Sequence, residues 1–292
     1  MIVVAGGTGT LGTRLVPRLA GPGRTVRVLT RDPARATHLA GPGVEVVRAD
    51  IRDPASVTCA LRNAGTVISA VTGFAGPGGV SPASVDRAGN LHLIDAAART
   101  GAAFILVSVV GASASHPIGL FRAKRAAEET LRASGVPWAI VRATAFMETW
   151  GTIMGRPLRT SGKIPVFGRG DNPVNFVSAA DVAALVARAA ASPGLRGQLL
   201  ELGGPDNLTF NQVAVIVQET TGRRGVIRHI PRRALRAMAW LSAPVKPALA
   251  RQARAALAMD TIDMTFDPAS IRQAFPDLPD TDMRSALKEL LA

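Results

Sequence analysis

Ten residues near the start of the chain, Val3-Val4-Ala5-Gly6-Gly7-Thr8-Gly9-Thr10-Leu11-Gly12, leave few folds open. The apolar run Ile2–Ala5 before the glycines reads as a buried strand. Two glycine frames overlap after it: Gly7, Gly9 and Gly12 give GxGxxG, and Gly6, Gly9 and Gly12 give GxxGxxG. Glycine allows positive φ and lets another group approach the backbone closely. The next segment, Gly12–Ala20, has a helical pattern, so its free N–H groups and positive dipole end face the turn. A strand, a glycine turn and a helix in this order hold the pyrophosphate of a dinucleotide in βαβ units. Gly6, Thr8, Gly9, Thr10, Leu11 and Gly12 are the expected contacts.

The same alternation continues along the chain. Thr25–Thr30 and Val44–Arg48 read as strands. Asp53–Leu61 reads as a helix with Asp53 as N-cap and Pro54 at the first helical position. Thr66–Ala70, Phe104–Ser108 and Trp138–Arg142 are further strands. Val85–Thr100 and Leu120–Ser134 are helices closed by Gly101 and Gly135. Strands this continuously apolar are buried on both faces, which predicts an α/β fold, a Rossmann-type doubly wound parallel sheet. Pro17 predicts a local kink in the first helix. After about residue 145 the rhythm loosens, giving a dinucleotide-binding core over 1–145. A smaller, mostly helical part over 146–292 is expected to complete the sheet edge and cover the substrate. Gly151–Asn172, rich in Gly, Pro and Arg, is expected to be irregular. Asn175–Ser178 with Ala179–Ala191 form another strand–helix pair, Leu199–Leu202 a strand, and Thr209–Thr220 a helix capped by Thr209.

The end of the second strand selects the cofactor. An acidic residue there would bond an adenosine ribose and favour NAD(H). The chain has Leu29-Thr30-Arg31-Asp32 instead. Arg31 can grip a 2′-phosphate, Thr30 can add a hydroxyl, and Asp32 reads as the cap of a helix opening at Pro33. NADP(H) is therefore expected over NAD(H). Asp50 and Ile51 stand where an adenine edge would lie, though Asp50 also suits a plain turn. Ala70 and Val71 should flank a ribose.

With these residues in view, the chain resembles the atypical short-chain dehydrogenase/reductases, specifically the NmrA-like NAD(P)-binding proteins. The resemblance covers most of the chain. It rests on Gly6–Gly12, Thr30-Arg31, Val85-Asp86 with Gly89-Asn90, Lys124-Arg125-Ala126-Ala127-Glu128, Ser134-Gly135-Val136-Pro137-Trp138, Arg142–Glu148, Phe176–Ala183 and Leu202–Pro205. It implies that Ser108 ends a strand near the nicotinamide. It implies that Lys124 holds the nicotinamide ribose and, in some relatives, takes part in proton transfer. It implies that Ala143, Thr144 and Phe146 lie on the segment passing the nicotinamide ring. Relatives include reductases, redox sensors without turnover and assembly factors, so no single reaction follows.

One departure matters most. Ordinary short-chain dehydrogenases carry a tyrosine four residues before the lysine, where this chain has Leu120, followed by Phe121. The sequence contains no tyrosine at all. Neither hydrocarbon side chain can donate a proton, so the usual Ser–Tyr–Lys mechanism is excluded. Lys124 stays open as an acid–base group, a ribose ligand or an exposed cation, and Ser108 as an orienting group or a strand-end cap. His116, in the loop Ala112–Pro117, is an alternative acid.

Composition bounds the rest. Cys59 is the single cysteine and the four histidines are dispersed, so no disulfide or structural metal is expected. No apolar run reaches the ~18–20 residues of a spanning helix and no leader pattern precedes Ile2, so a cytoplasmic protein is expected. The formal charge is +13. Between Glu219 and Asp260 there is no carboxylate, while Arg223, Arg224, Arg228, Arg232, Arg233, Arg236, Lys246, Arg251 and Arg254 all fall there. That stretch (223–254) either docks an anionic surface or protein, or is a solvated helical face. No motif supports specific nucleic-acid binding. Two functions stay open. One is an NADPH-dependent reductase of a small carbonyl, enone or quinone-like substrate. The other is an NADP(H)-binding sensor or assembly protein without turnover.

Overall fold

The computed structural model describes residues 1–76 and 79–291. Its first half alternates strand and helix: β1 (Ile2–Ala5), α1 (Gly12–Leu19), β2 (Val26–Thr30), β3 (Val44–Arg48), α2 (Pro54–Ala60), β4 (Thr66–Ser69), α3 (Asn90–Thr100), β5 (Ala103–Val109), α4 (Gly119–Ala133) and β6 (Trp138–Ala143). The second half holds β7 (Ala145–Phe146), α5 (Met147–Ser161), β8 (Lys163–Phe167), β9 (Pro173–Val177), α6 (Ala179–Ala191), β10 (Leu199–Leu202), β11 (Asn207–Thr209), α7 (Phe210–Thr221) and β12 (Val226–Ile230). It closes with α8 (Arg232–Leu241), α9 (Pro247–Met259), α10 (Ala269–Ala274) and α11 (Met283–Leu291).

Seven strands form one sheet in the order β10-β6-β5-β4-β1-β2-β3. β1 pairs in parallel with both β2 and β4, and these pair in parallel with β3 and β5. This is the doubly wound Rossmann arrangement, and the order of connection reverses between β1 and β4. Loops diverge at such a point and open a crevice at the strands' carboxyl ends. Local chemistry sets the helix boundaries. Asp53 caps α2, accepting a bond from the Ala55 amide with Pro54 next in line, and Gly101 closes α3 at φ +67°. The segment Pro33–Leu39 is a 3₁₀ helix capped by Asp32, and α3 is preceded by a π-helical turn, Pro82–Gly89. Leu61, Val67, Leu93, Phe104, Leu106 and Ile140 are among the side chains of the core on one face of the sheet.

The chain divides into two compact units, one of 1–142 with 182–201 and one of 143–181 with 202–292. A single cut at residue 145 therefore needs correction: most of α6, and β10 except for Leu202, return to the first unit, because β10 pairs with β6 at the sheet's edge.

The second unit contains two small sheets, β11-β9-β7 and β12-β8, and most of the remaining helices. Most of Gly151–Asn172 is regular, α5 running to Ser161 and β8 over Lys163–Phe167, and only residues 168–172 form a turn. Met147, Gly151, Met154, Gly155 and Leu158 form the buried stripe of α5, which lies against α11. A Cβ on Gly151 would stand 2.2 Å from Leu287 Cδ2, so glycine here admits a neighbouring helix and does not break its own.

Candidate functional site

The glycine turn sits at the carboxyl end of β1, beside the end of β4. Gly6 has φ +87°, and a Cβ there would stand 2.5 Å from the Ala70 carbonyl oxygen. Gly12 is equally constrained, its Cβ position being 2.3 Å from the Gly6 oxygen. These two glycines let the turn fold upon itself. Gly9 differs: it is exposed, and a Cβ there would meet only the Gly6 oxygen, at 3.4 Å. Within the turn the Gly9 amide donates to Gly6 O and the Thr13 amide to Gly9 O. Among the described residues the amides of Thr10, Leu11 and Gly12 have no backbone acceptor, which leaves them for an anion at the start of α1. The Leu11 side chain is buried, so only its backbone can serve. The cradle fits a pyrophosphate.

At the ends of β2 and β3 is an open cleft of about 350 Å³ lined by Arg31, Arg48, Ala49, Asp50 and Ser56. Strand register sets Thr30 beside Arg48, so the two exposed guanidinium groups come from adjacent strand ends. Arg48 was missed by sequence reasoning, because its value depends on β3 lying next to β2. Thr30 is engaged locally. Its buried hydroxyl donates to Asp32 O (3.0 Å) and accepts from the Asp32 amide (3.2 Å), so it shapes the turn that presents Arg31. The Asp50 carboxylate is also committed: Arg52 Nε donates to Oδ1 at 3.0 Å and Arg52 Nη2 to Oδ2. Its bond to Arg52 holds Asp50 below the usual carboxylate range against the effect of burial, and the Arg31 charge adds to this. Ile51 is fixed by its carbonyl, which accepts a bond from His92 Nδ1 at 2.9 Å.

Lys124 is buried at the carboxyl ends of β4 and β5, which excludes the exposed alternative. Its Nζ donates to Val71 O (2.8 Å) and Val107 O (3.0 Å). Asp86 Oδ1 lies 3.1 Å away as an ion-pair partner, at an angle that makes no directed hydrogen bond. Asp86 Oδ2 accepts from the Gly73 amide at 2.8 Å. Burial pushes the Asp86 carboxyl above the usual range, opposed by the Lys124 charge and the Gly73 amide. Asp86 stands on the π-helical turn and Asn90 follows four residues on, bonded to Ser69 at 2.6 Å and to Asp86 O. π-turns of this kind often accompany functional sites. The available signal for Asp86 was its i, i+4 spacing to Asn90, which sets both polar side chains on one helix face.

Ser108 is buried, and its hydroxyl donates to Glu128 Oε1 at 2.6 Å. Glu128 is held in turn by Arg142 through two bonds of 2.8 and 2.6 Å. The proton expected to orient an acceptor is thus already given away. Ser108 joins a buried charge network at the end of β5. His116 stacks on Phe121 at 3.9 Å, and its Nδ1 accepts from the Ile118 amide. Burial holds its pKa below the usual imidazole value, so the neutral ring keeps Nε2–H as a donor.

Ala143, Thr144 and Phe146 belong to the second unit. Ala143 is buried, Phe146 is half-buried on β7 beside β9, and the Thr144 hydroxyl donates to Asn175 Oδ1 at 2.9 Å. Among the described residues no three potential ligands cluster for a metal, and no helix is long and apolar enough to cross a membrane.

Comparison with known proteins agrees with this geometry. Residues 6–193 match the family described as NAD(P)H-binding. The chain is 32% identical over 227 residues to (4-alkanoyl-5-oxo-2,5-dihydrofuran-3-yl)methyl phosphate reductase of Streptomyces griseus, covering 76% of this chain and 74% of the relative. It is 27% identical over 225 residues to the NAD(P)H azoreductase of Xenophilus azovorans, with coverage of 76% and 74%. A solved structure of an NADPH-dependent quinone oxidoreductase from Escherichia coli, complexed with NADPH, shares the fold over 100% of both chains, with a TM-score of 0.78 at 22% identity. The chain belongs to the NAD(P)H-binding family.

Proposed function

We propose that the protein is an NADPH-dependent reductase whose acceptors take hydride without help from a protein acid, quinone-like compounds above all. Bound NADPH would supply the hydride. The glycine turn would hold its pyrophosphate, and Arg31 with Arg48 its 2′-phosphate. The observation that carries the acceptor class is the state of the polar groups at the strand ends. There is no tyrosine, Ser108 gives its proton to Glu128, and Lys124 is surrounded by Val71 O, Val107 O and Asp86. A simple ketone leaves a strongly basic alkoxide after hydride addition and needs a proton in the transition state. A quinone leaves an aryl oxide that water can protonate, so NADPH, quinone and one proton give NADP⁺ and hydroquinone. Supporting this reading, two of the similar proteins are named for azo and quinone reduction.

The test follows loss of reduced nicotinamide with quinones, azo compounds, enones, aldehydes and ketones. Turnover is expected with quinones and not with unactivated ketones; ketone turnover at a comparable rate would overturn the proposal. His116→Ala should leave quinone turnover within a few-fold, whereas a drop of about 100-fold or more would make that imidazole the acid.

Cofactor choice has its own test. One charge-assisted contact of about 1.5–3 kcal/mol corresponds to about 10–150-fold in affinity. Arg31→Ala is expected to weaken NADPH by that factor and leave NADH unchanged. Equal wild-type affinities for the two nucleotides would reject the 2′-phosphate site.

The same occupied polar groups also favour a second reading, a nucleotide-binding sensor without turnover. It predicts a protein partner whose affinity differs between NADP⁺-bound, NADPH-bound and empty forms, since a ligand shifts an equilibrium only through differential affinity.

A further inference from the structure

The carboxylate-free stretch between Glu219 and Asp260 carries an exposed apolar tip. On α8, Leu235 and Ala239 form the buried side. The opposite side presents Arg233, Arg236, Trp240 and Leu241, spaced i, i+3, i+7 and i+8 so that they share one face. Trp240 is 77% exposed, Leu241 64% and Val245, in the turn to α9, 78%. Lys246 is exposed directly after Val245. Cations therefore collar a projecting group of large apolar side chains. At ~1.5 Å per residue, Arg236 stands ~6 Å back from Trp240 along the helix. Side chains of peripheral proteins enter the headgroup–acyl boundary by about 5–10 Å, so guanidinium groups at this height would meet lipid phosphates.

Other occupants fit less well. Two copies of a chain with charge +13 repel each other. A few exposed side chains also fall short of the ~800 Å² per partner of a standard protein interface. A nucleic acid would be attracted by the cations but has no use for Leu241 and Val245, which offer no stacking surface. We propose that the α8–α9 tip docks the protein peripherally on an anionic lipid bilayer. Trp240, Leu241 and Val245 enter the interface, and Arg233, Arg236 and Lys246 lie on the headgroup phosphates.

The experiment sediments the full chain with vesicles of phosphatidylcholine containing phosphatidylglycerol, and with phosphatidylcholine alone. Binding is expected to the anionic vesicles at low salt, with a blue shift of tryptophan emission that Trp240→Phe removes. It should weaken as salt screens the charges. Reversing the cations in Arg233→Glu/Arg236→Glu/Lys246→Glu should lower partitioning about 100-fold or more. Trp240→Ser/Val245→Ser keeps every charge and should also detach the protein. All five positions are exposed, and unchanged thermal unfolding would verify that the variants fold. No binding to anionic vesicles at low salt overturns the proposal. So does binding indifferent to Trp240→Ser/Val245→Ser, which would be attraction of a basic chain and nothing more. A single-stranded oligonucleotide bound through Trp240, or a dimer dispersed by Trp240→Ser, with no vesicle binding, would give the surface to those occupants instead.

Discussion

Gly9→Val is expected to lower NADPH affinity by about 10²–10⁴-fold, the equivalent of two charge-assisted bonds of about 1.5–3 kcal/mol each, while the protein stays folded. The separation of binding from folding follows from the differences among the glycines. At Gly6 and Gly12 any side chain would strike backbone atoms at 2.5 and 2.3 Å, and Gly6 also needs positive φ. Substitution there would disturb the β1 turn itself, so lost binding would say little about the site. Gly9 has no positive φ, and its nearest neighbour beyond adjacent residues is the Gly6 oxygen at 3.4 Å. A branched side chain there fills the space over the turn, where the amides of Thr10, Leu11 and Gly12 await an anion. Titration of nucleotide against wild type and variant, with circular dichroism and thermal unfolding on the same samples, measures both quantities. A folded variant with unchanged affinity would remove the glycine turn from the binding site.

What the sequence disclosed follows from where each signal is stored. The β1 turn, the Asp53-Pro54 start of α2, the Gly101 end of α3 and the Thr209 cap of α7 are local signals. The caps are satisfied within a few residues, as when the Thr209 hydroxyl accepts from the Gln212 amide and the Thr209 amide donates to Gln212 Oε1, while the β1 turn is marked by its glycine spacing. Such features can be read without knowing what lies across the fold. α5 could not be read in this way. Gly151 and Gly155 look like breakers, and the reason they lie inside a helix is a leucine row on α11 more than a hundred residues later. The site shows the same division. Arg31 was legible because it follows β2 directly. Arg48 required the strand order, and the sequence alone does not show that the Ser108 hydroxyl bonds Glu128 or that the Thr30 hydroxyl bonds the Asp32 backbone. A residue type shows what a side chain can do, but only packing shows whether its hydrogen bonds are already taken.

Lys124 is where this distinction has its largest energetic consequence. Its ammonium joins three separate parts of the chain: the carbonyl of Val71 after β4, the carbonyl of Val107 on β5, and the fully buried Asp86 carboxylate. Removing one member of a buried ion pair leaves the other uncompensated, at a cost of about 3–5 kcal/mol. Lys124→Met is therefore expected to destabilise the protein by that amount in urea unfolding, whatever its effect on turnover. Lys124→Met/Asp86→Asn removes both charges and should recover a substantial part of the loss, because the unpaired carboxylate is its main source. The pH dependence distinguishes this from lost packing. Burial already raises the Asp86 carboxyl above its unfolded value, with Lys124 opposing, so its folded pKa rises further in Lys124→Met. A group whose folded pKa is raised lends stability below its unfolded pKa and withdraws it as pH rises through the folded one. The gap between Lys124→Met and wild type should thus narrow from about pH 7 towards about pH 4, as the orphaned carboxyl takes up a proton. A gap independent of pH, or a single-variant cost below about 1 kcal/mol, would show that the pair is not the buried electrostatic link described here. If the gap behaves as expected, a slow Lys124→Met enzyme is not evidence for a lysine acid, and the quinone-against-ketone comparison remains the measure of where the proton comes from.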